Sequence, residues 1–224
     1  MEESGQAGGA SGQVVITGGE GTLARAIAAA FSEAGYPVAA PARTELDVRD
    51  GAAIKDYFRQ HSPALLVCNA GIARDAPLAR LEETAWDEVL AVNLRGAALC
   101  AAAALRNMIR ARAGHIVFLS SYSALHPPAG QAAYAAAKAG LIGLAKSLAK
   151  ETGPAGIRVN VILPGFVETK MTRGVSEKRR EQVKSEHALG HFNTPEAVAA
   201  FLLTLHAHLP HTSGQVFQLD SRTG

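Results

Sequence analysis

Tyr134 and Lys138 sit four positions apart in the run Tyr134-Ala135-Ala136-Ala137-Lys138, within an alanine-rich segment of helical character. On a helix that spacing puts both side chains on one face, a turn apart. A phenol beside an ammonium can exchange protons near neutrality. A free tyrosine titrates near pH 10, so the work needs a drop of roughly two to three units, about 3–4 kcal/mol in favour of the phenolate. Such pairs are common on amphipathic helices, and alone this one carries little weight. Ser121 lies upstream, just past a strand ending at Leu119, where a hydroxyl can reach the carbonyl oxygen that Tyr134 would protonate. Asn93 lies inside a long helical stretch. Asparagine competes for backbone hydrogen bonds there, and use in a site would explain the misfit.

A second pattern concerns phosphate binding. The run Thr17-Gly18-Gly19-Glu20-Gly21-Thr22-Leu23-Ala24 follows the first apolar strand and opens a helix. From Gly19 it fits G-x-G-x-x-A, a form of the dinucleotide fingerprint. Glycine lets the chain turn tightly and a pyrophosphate approach, while the helix N-terminus presents free N–H groups and a positive dipole end. About twenty residues on, where an acid would bind an NAD ribose, stand Ala39 and Ala40. Arg43 follows and suits the extra phosphate of NADP, although Glu20 opposes that charge. The balance favours NADP(H), with NAD(H) the alternative.

These residues need elements to hold them. Short apolar runs alternate with helical ones: strands at Val14–Ile16, Pro37–Ala40, Ala64–Cys68, His115–Leu119, Ile157–Ile162 and Gly214–Leu219. Helices are expected at Leu23–Ala34, Gly51–His61, about Glu82–Arg112, Gln131–Glu151, Glu177–Glu186 and Pro195–Leu205. Continuously apolar strands mean that both sheet faces are covered. The expected fold is α/β, a doubly wound parallel sheet of Rossmann-like type in three αβα layers and a single domain. Residues 13–224 form that domain, and the Gly/Ser/Ala-rich stretch 1–12 is a flexible tail.

Composition removes other classes. With 22 basic and 20 acidic residues scattered along the chain, nothing marks a nucleic-acid partner. No uninterrupted apolar stretch reaches the roughly 18 residues of a membrane span, and no secretory signal pattern opens the chain. Cys68 and Cys100 lie in apolar segments and read as buried thiols of a reducing, cytoplasmic compartment. His206, His208 and His211 lack a carboxylate or cysteine partner at ligand spacing, so no metal site is expected.

Taken together, the glycine turn, Asp47-Val48, Cys68-Asn69-Ala70-Gly71, Val92-Asn93, Ser120-Ser121, Tyr134-x-x-x-Lys138 and Pro164-Gly165-Phe166-Val167-Glu168-Thr169 resemble the single-domain short-chain dehydrogenases/reductases, in order, from Thr17 to about Leu219. The stretches Gly130–Gly143, Pro164–Thr172 and Gly214–Phe217 look most like 3-oxoacyl-[acyl-carrier-protein] reductases. The resemblance implies Tyr134 as general acid, Lys138 as the group lowering its pKa and binding the nicotinamide ribose, Ser121 as carbonyl orienter and Asn93 as holder of a relay water. It implies cofactor contacts at Gly18, Gly19, Gly21, Thr22, Leu23, Asp47, Val48, Asn69, Ala70, Gly71, Pro164, Gly165, Val167 and Thr169. The implied substrate is a small carbonyl compound or alcohol, with an acyl thioester on a carrier the first choice. A homotetramer or homodimer paired through the two long helices is implied as well.

The sequence departs from the family pattern twice. Thr22 and Ala24 replace the later two glycines, which echoes the extended, nucleotide-sugar branch; yet only about 55 residues follow Thr169, too few for that branch's substrate domain. Also, Thr17 and Asp47 are only about 30 residues apart, which leaves no room for the usual second helix and should open the adenine side. A non-catalytic dinucleotide sensor on the same fold is the competing class. Substrate is expected to lie under the segment between Met171 and Asn193, with Phe166 and His126 near the cleft.

Overall fold

The computed structural model of the protein describes residues 12–169 and 172–222; most of the tail expected at 1–12 lies outside the described residues. Six strands form one parallel sheet in the order β2-β1-β3-β4-β5-β6. They are β1 (Gln13–Ile16), β2 (Val38–Ala39), β3 (Pro63–Cys68), β4 (Gly114–Leu119), β5 (Ile157–Leu163) and β6 (Val216–Gln218). The helices are α1 (Thr22–Glu33), α2 (Gly51–Gln60), α3 (Glu83–Leu90), α4 (Ala97–Ala111), α5 (Ala132–Thr152), α6 (Glu177–Ser185) and α7 (Pro195–His208). Every strand named in advance is present, and helix ends fall within a few residues of those expected.

The strands are apolar on both faces because both faces are covered. Val15, Leu66, Ile116 and Val159 meet α2, α4 and α5 on one side. Val14, Leu65, Val117 and Ile162 meet α1 and α7 on the other, where Ile27, Phe31, Leu202 and Leu205 are fully buried. The three αβα layers thus follow from uninterrupted runs of β-branched and leucine side chains. Strand order reverses between β1 and β3, so a crevice opens at their carboxyl ends.

The helix expected at Glu82–Arg112 is continuous from Glu83 to Ala111 but carries a π-helical turn at Ala91–Gly96. Asn93 lies in that turn. An 18-residue window of this 29-residue helix reaches a mean hydropathy of 1.5, long and apolar enough by length and composition to cross a membrane. Its apolar side has another use: Cys100, Ala101 and Ala104 of α4 are fully buried under the sheet.

The shortened segment is real. β2 is a two-residue edge strand, and turns, with no helix, connect it to α2 through Arg43, Asp47 and Val48. Asp50 caps α2, its carboxylate accepting from Ala52 N (2.8 Å) and Ala53 N (3.1 Å).

Candidate active site

The turn after β1 is built for close approach. Gly18 has φ +71°, a left-handed conformation, and a Cβ there would stand 2.9 Å from Ala70 Cα. Gly19 also ties the turn to the edge strand. Its N–H donates to Pro41 O at 3.0 Å, and a Cβ would lie 1.9 Å from Ala40 O. Gly19 thus packs the edge strand against the turn and does not line the crevice. Thr17, buried beneath the turn, accepts from the N–H groups of Asn69 and Ala70 at 3.1 Å each, while Asn69 Nδ2 donates to Thr17 O at 3.0 Å. The ends of β1 and β3 are locked to each other.

Helix α1 begins with no side-chain cap and no acidic residue in its first turn. At the helix start, Gly21 N donates to Gly18 O and Arg25 N to Gly21 O. First-turn N–H groups left in that state suit a pyrophosphate, and the residues fit a dinucleotide here.

The crevice that follows has a volume of about 800 Å³. It gathers Gly18, Gly21, Thr22, Leu23, Arg43, Asp47, Val48, Asn69, Ala70, Gly71, Ser121, Tyr134, Lys138, Pro164, Gly165, Val167 and Thr169, which is every residue expected from sequence except Gly19 and Asn93. Phe166 lines it too and stacks on Phe192, centroids 4.5 Å apart, whereas His126 stacks on Tyr122 outside the lining. The Pro164–Thr169 loop is held from behind by Asn193, whose Nδ2 donates to Pro164 O (2.9 Å) and Leu219 O (2.8 Å).

Asn93 has its side-chain amide fully engaged. It is buried, its Oδ1 accepts from Ile72 N at 2.8 Å, and its Nδ2 donates to Ile72 O at 2.7 Å. The amide pins the loop after β3 to the π turn. That bonding explains the helix misfit by a partner in the loop after β3.

At the catalytic end, Lys138 is buried and its Nζ donates to Leu119 O at 2.7 Å. Burial lowers its pKa to about 8, weakly opposed by Cys68. The ammonium stands 5.7 Å from the Tyr134 ring centroid. Tyr134 itself is pushed up, by burial first, with a hydrogen bond from Ser121 pulling down and the Asp75 carboxylate pushing up. In the protein alone, burial thus outweighs the Ser121 hydrogen bond, and the depression expected from the pair does not appear.

The adenine side is spanned by charges that the sequence reading passed over. Arg49 grips Asp47 through Nη2 (2.6 Å), Nε (3.0 Å) and its own N–H (3.0 Å), and reaches Glu88 at 3.9 Å. Glu88 pairs in turn with Arg74 at 3.1 Å. The Arg49 hydrogen bond is the main reason that the Asp47 carboxyl lies well below the usual carboxylate range. Arg43 is mostly exposed, 3.4 Å from Asp47. Arg49 is two residues from Asp47, so its pairing could have been anticipated; Glu88 and Arg74 arrive only through the fold.

Three further groups reach the crevice from a distance in sequence. Gln131 stands one turn before Tyr134, a spacing that could have flagged it, while Asp75 and Arg222 carry no such signal. Arg222 lies 3.4 Å over the Tyr122 ring and pairs with the buried Asp220 at 2.5 Å. Among the described residues, no group of three or more His, Cys, Asp or Glu side chains is arranged to hold a metal.

A doubly wound sheet with an uncapped helix at its switch point, and a serine, tyrosine and lysine beyond it, defines a dinucleotide-dependent oxidoreductase. A family model described as enoyl-(acyl carrier protein) reductase matches residues 9–221, and the chain belongs to this family, within the short-chain dehydrogenases/reductases. It is 38% identical over 217 residues to the 3-oxoacyl-[acyl-carrier-protein] reductase FabG of Aquifex aeolicus (strain VF5), covering 94% of this chain and 87% of that protein. It is 45% identical over 157 residues to the 3-oxoacyl-[acyl-carrier-protein] reductase FabG of Thermotoga maritima, covering 70% of this chain and 64% of that one. A solved structure from Beutenbergia cavernae, assigned as an NAD(P)-dependent gluconate 5-dehydrogenase and holding NADP at low occupancy, superposes with TM-score 0.91 at 28% identity, covering 95% of this chain and 96% of that one.

Proposed function

We propose that this protein reduces a carbonyl to a secondary alcohol with NADPH, the substrate being a 3-oxoacyl thioester on a carrier protein, with Tyr134 as the acid. The observation that carries the reading is the convergence of Ser121, Tyr134 and Lys138 in one crevice with the uncapped N-terminus of α1. When bound, the dinucleotide supplies the hydride. Gly18, Gly21, Thr22 and Leu23 would hold its pyrophosphate, Asp47 and Val48 would flank the adenine, and Pro164, Gly165, Val167 and Thr169 with Asn69–Gly71 would enclose the nicotinamide end. Arg43 supports NADP(H) over NAD(H), being a crevice-lining cation with most of its surface in solvent.

Ser121 Oγ donates to the substrate oxygen and fixes its place. Tyr134 Oη gives that oxygen its proton, for which a phenol held protonated by burial is well suited. Lys138, anchored by Leu119 O, would stabilise the phenolate left behind and bind the ribose next to it. Apolar walls around Phe166 and Val167 suit an acyl chain.

The family description names an enoyl reductase, which would reduce a carbon–carbon double bond. Two hydroxyls converging on one point favour an oxygen as the reacting partner instead. Purified protein with NADPH should oxidise the cofactor on a 3-oxoacyl thioester and not on an enoyl thioester. Cofactor binding without oxidation by any ketone would favour the dinucleotide sensor. We place the protein in the cytoplasm as a homotetramer or homodimer paired through α4 and α5, on which Ile109 is about half exposed; sizing in solution tests this.

A further inference from the structure

Two loops carry the groups that would face a substrate, and a line of polar side chains joins them. Gln131, the residue before α5, donates from Nε2 to Asp75 Oδ2 at 2.7 Å. Ser123 Oγ donates to Gln131 Oε1 at 2.9 Å, and Ser123 N donates to Ser121 Oγ at 3.2 Å. A backbone bond from Ala76 N to Gly130 O, 2.9 Å, holds the same two loops side by side. All four side chains line the crevice.

We infer that Asp75, Gln131 and Ser123 are positioning residues for the reaction, forming a clasp between the β3 and β4 loops that aims the Ser121 hydroxyl and sets the charge facing Tyr134. The inference rests on the carbonyl reduction proposed above. Its first part is hydrogen-bond arithmetic. A hydroxyl has one hydrogen to give and two lone pairs to fill. Because Ser121 Oγ accepts from Ser123 N, its own hydrogen stays available to Tyr134 or to a substrate oxygen. Ser123 keeps that place because Gln131 holds its hydroxyl, and Gln131 is oriented by Asp75.

The second part is electrostatic. Among the described residues, Asp75 of the β3 loop lines the same crevice as Tyr134 and acts on it electrostatically, and Lys138 stands a turn along its own helix. Packed with Tyr134 from α3, the π turn and the β3 loop are the apolar Val89, Leu94 and Ile72. Asp220 and Arg222, from the chain end, pair with each other. The Asp75 carboxylate therefore adds to burial in keeping the phenol protonated, the state that reduction consumes.

The test compares Asp75→Asn, Gln131→Ala and Tyr134→Phe in the full chain with NADPH and a 3-oxoacyl thioester, across pH. Asn keeps an acceptor for Gln131 but loses the charge. The uppermost fall of kcat with pH, where Tyr134 loses its proton beyond the Lys138 step at about 8, should move to lower pH by about 0.5 unit in Asp75→Asn. Gln131→Ala should lower kcat about tenfold with the KM for NADPH unchanged. An unmoved alkaline limb in the first variant, or an unchanged kcat in the second, overturns the clasp. Should Gln131→Ala fail to fold, Ser123→Ala takes its place with the same expectation. Tyr134→Phe separates the two claims. If it keeps substantial turnover, the proposed function fails; if it is inactive while the clasp variants match the unaltered protein at every pH, the clasp alone fails.

Discussion

Polar side chains gather at both ends of strands β4 and β5, and the two ends treat them differently. On the side opposite the crevice, His115 and Asn160 are fully buried, yet each has partners for its polar atoms. His115 Nδ1 meets His206 Nδ1 at 3.3 Å and its Nε2 meets Asn160 Nδ2 at 3.1 Å. Asn160 also donates to Thr212 O (2.9 Å) and accepts from Gln215 N (3.1 Å). Arg158 spends its guanidinium on the carbonyls of Leu205, His206 and Leu209, all at 2.9 Å. At the crevice end, Ser121, Tyr134 and Lys138 are held by one or two bonds each and keep capacity facing the opening. Saturated polar groups make structure; groups positioned but not saturated are free to do chemistry.

That contrast can be broken most sharply at Tyr134. Tyr134→Phe should cut turnover about 10³-fold while thermal unfolding and NADPH binding stay near those of the unaltered protein, since general acids contribute about 10²- to 10⁴-fold. A loss of folding of similar severity would mean that the crevice end is structural too.

Asn160→Ala should do the reverse. It strips Gln215 N, Thr212 O and His115 Nε2 of a buried partner, a loss of about 2–4 kcal/mol in urea unfolding. The folded fraction should still turn over normally at low temperature.

Acid sharpens the comparison next. Burial, with Arg158 second, lowers the pKa of His206 to about 4, and burial, Arg158 and His206 together push His115 well below its ordinary value. An unfolded histidine takes its proton near pH 6.5, so below that pH the unfolded chain binds more protons than the folded one. Stability should therefore be full above about pH 6.5 and fall toward pH 4, by at most about 1.4 kcal/mol per pH unit for each histidine. Unfolding midpoints across that window check it, and His206→Gln should flatten the slope.

The smallest effect concerns Arg43. Arg43→Ala should weaken NADPH binding about fivefold and leave NADH binding unchanged, as read by fluorescence titration, because an exposed charge contact is a weak one.

Much of this molecule could be read along the chain. Uninterrupted apolar runs at Leu65–Cys68 and Ile116–Leu119 announced strands covered on both faces, and glycine after the first strand announced a phosphate turn. Ser121, Tyr134 and Lys138 were legible because a helix and a strand end impose their spacing locally. Gly19 and Asn93 were legible as site candidates, but their structural partners were not. Both answer to a partner far away in sequence, Ala40–Pro41 for one and Ile72 for the other.

Residue order by itself determined the periodicities, the turn chemistry and the site residues that share one element, because those depend on neighbours within a helical turn or a strand's length. Only the tertiary structure decided that Arg49 would occupy Asp47 and reach Glu88, that Asp75 would meet Gln131, and that burial would hold Tyr134 protonated while Leu119 takes the Lys138 ammonium. Those outcomes depend on desolvation and on distances between loops that the sheet brings together, and neither quantity is written in spacing along a chain.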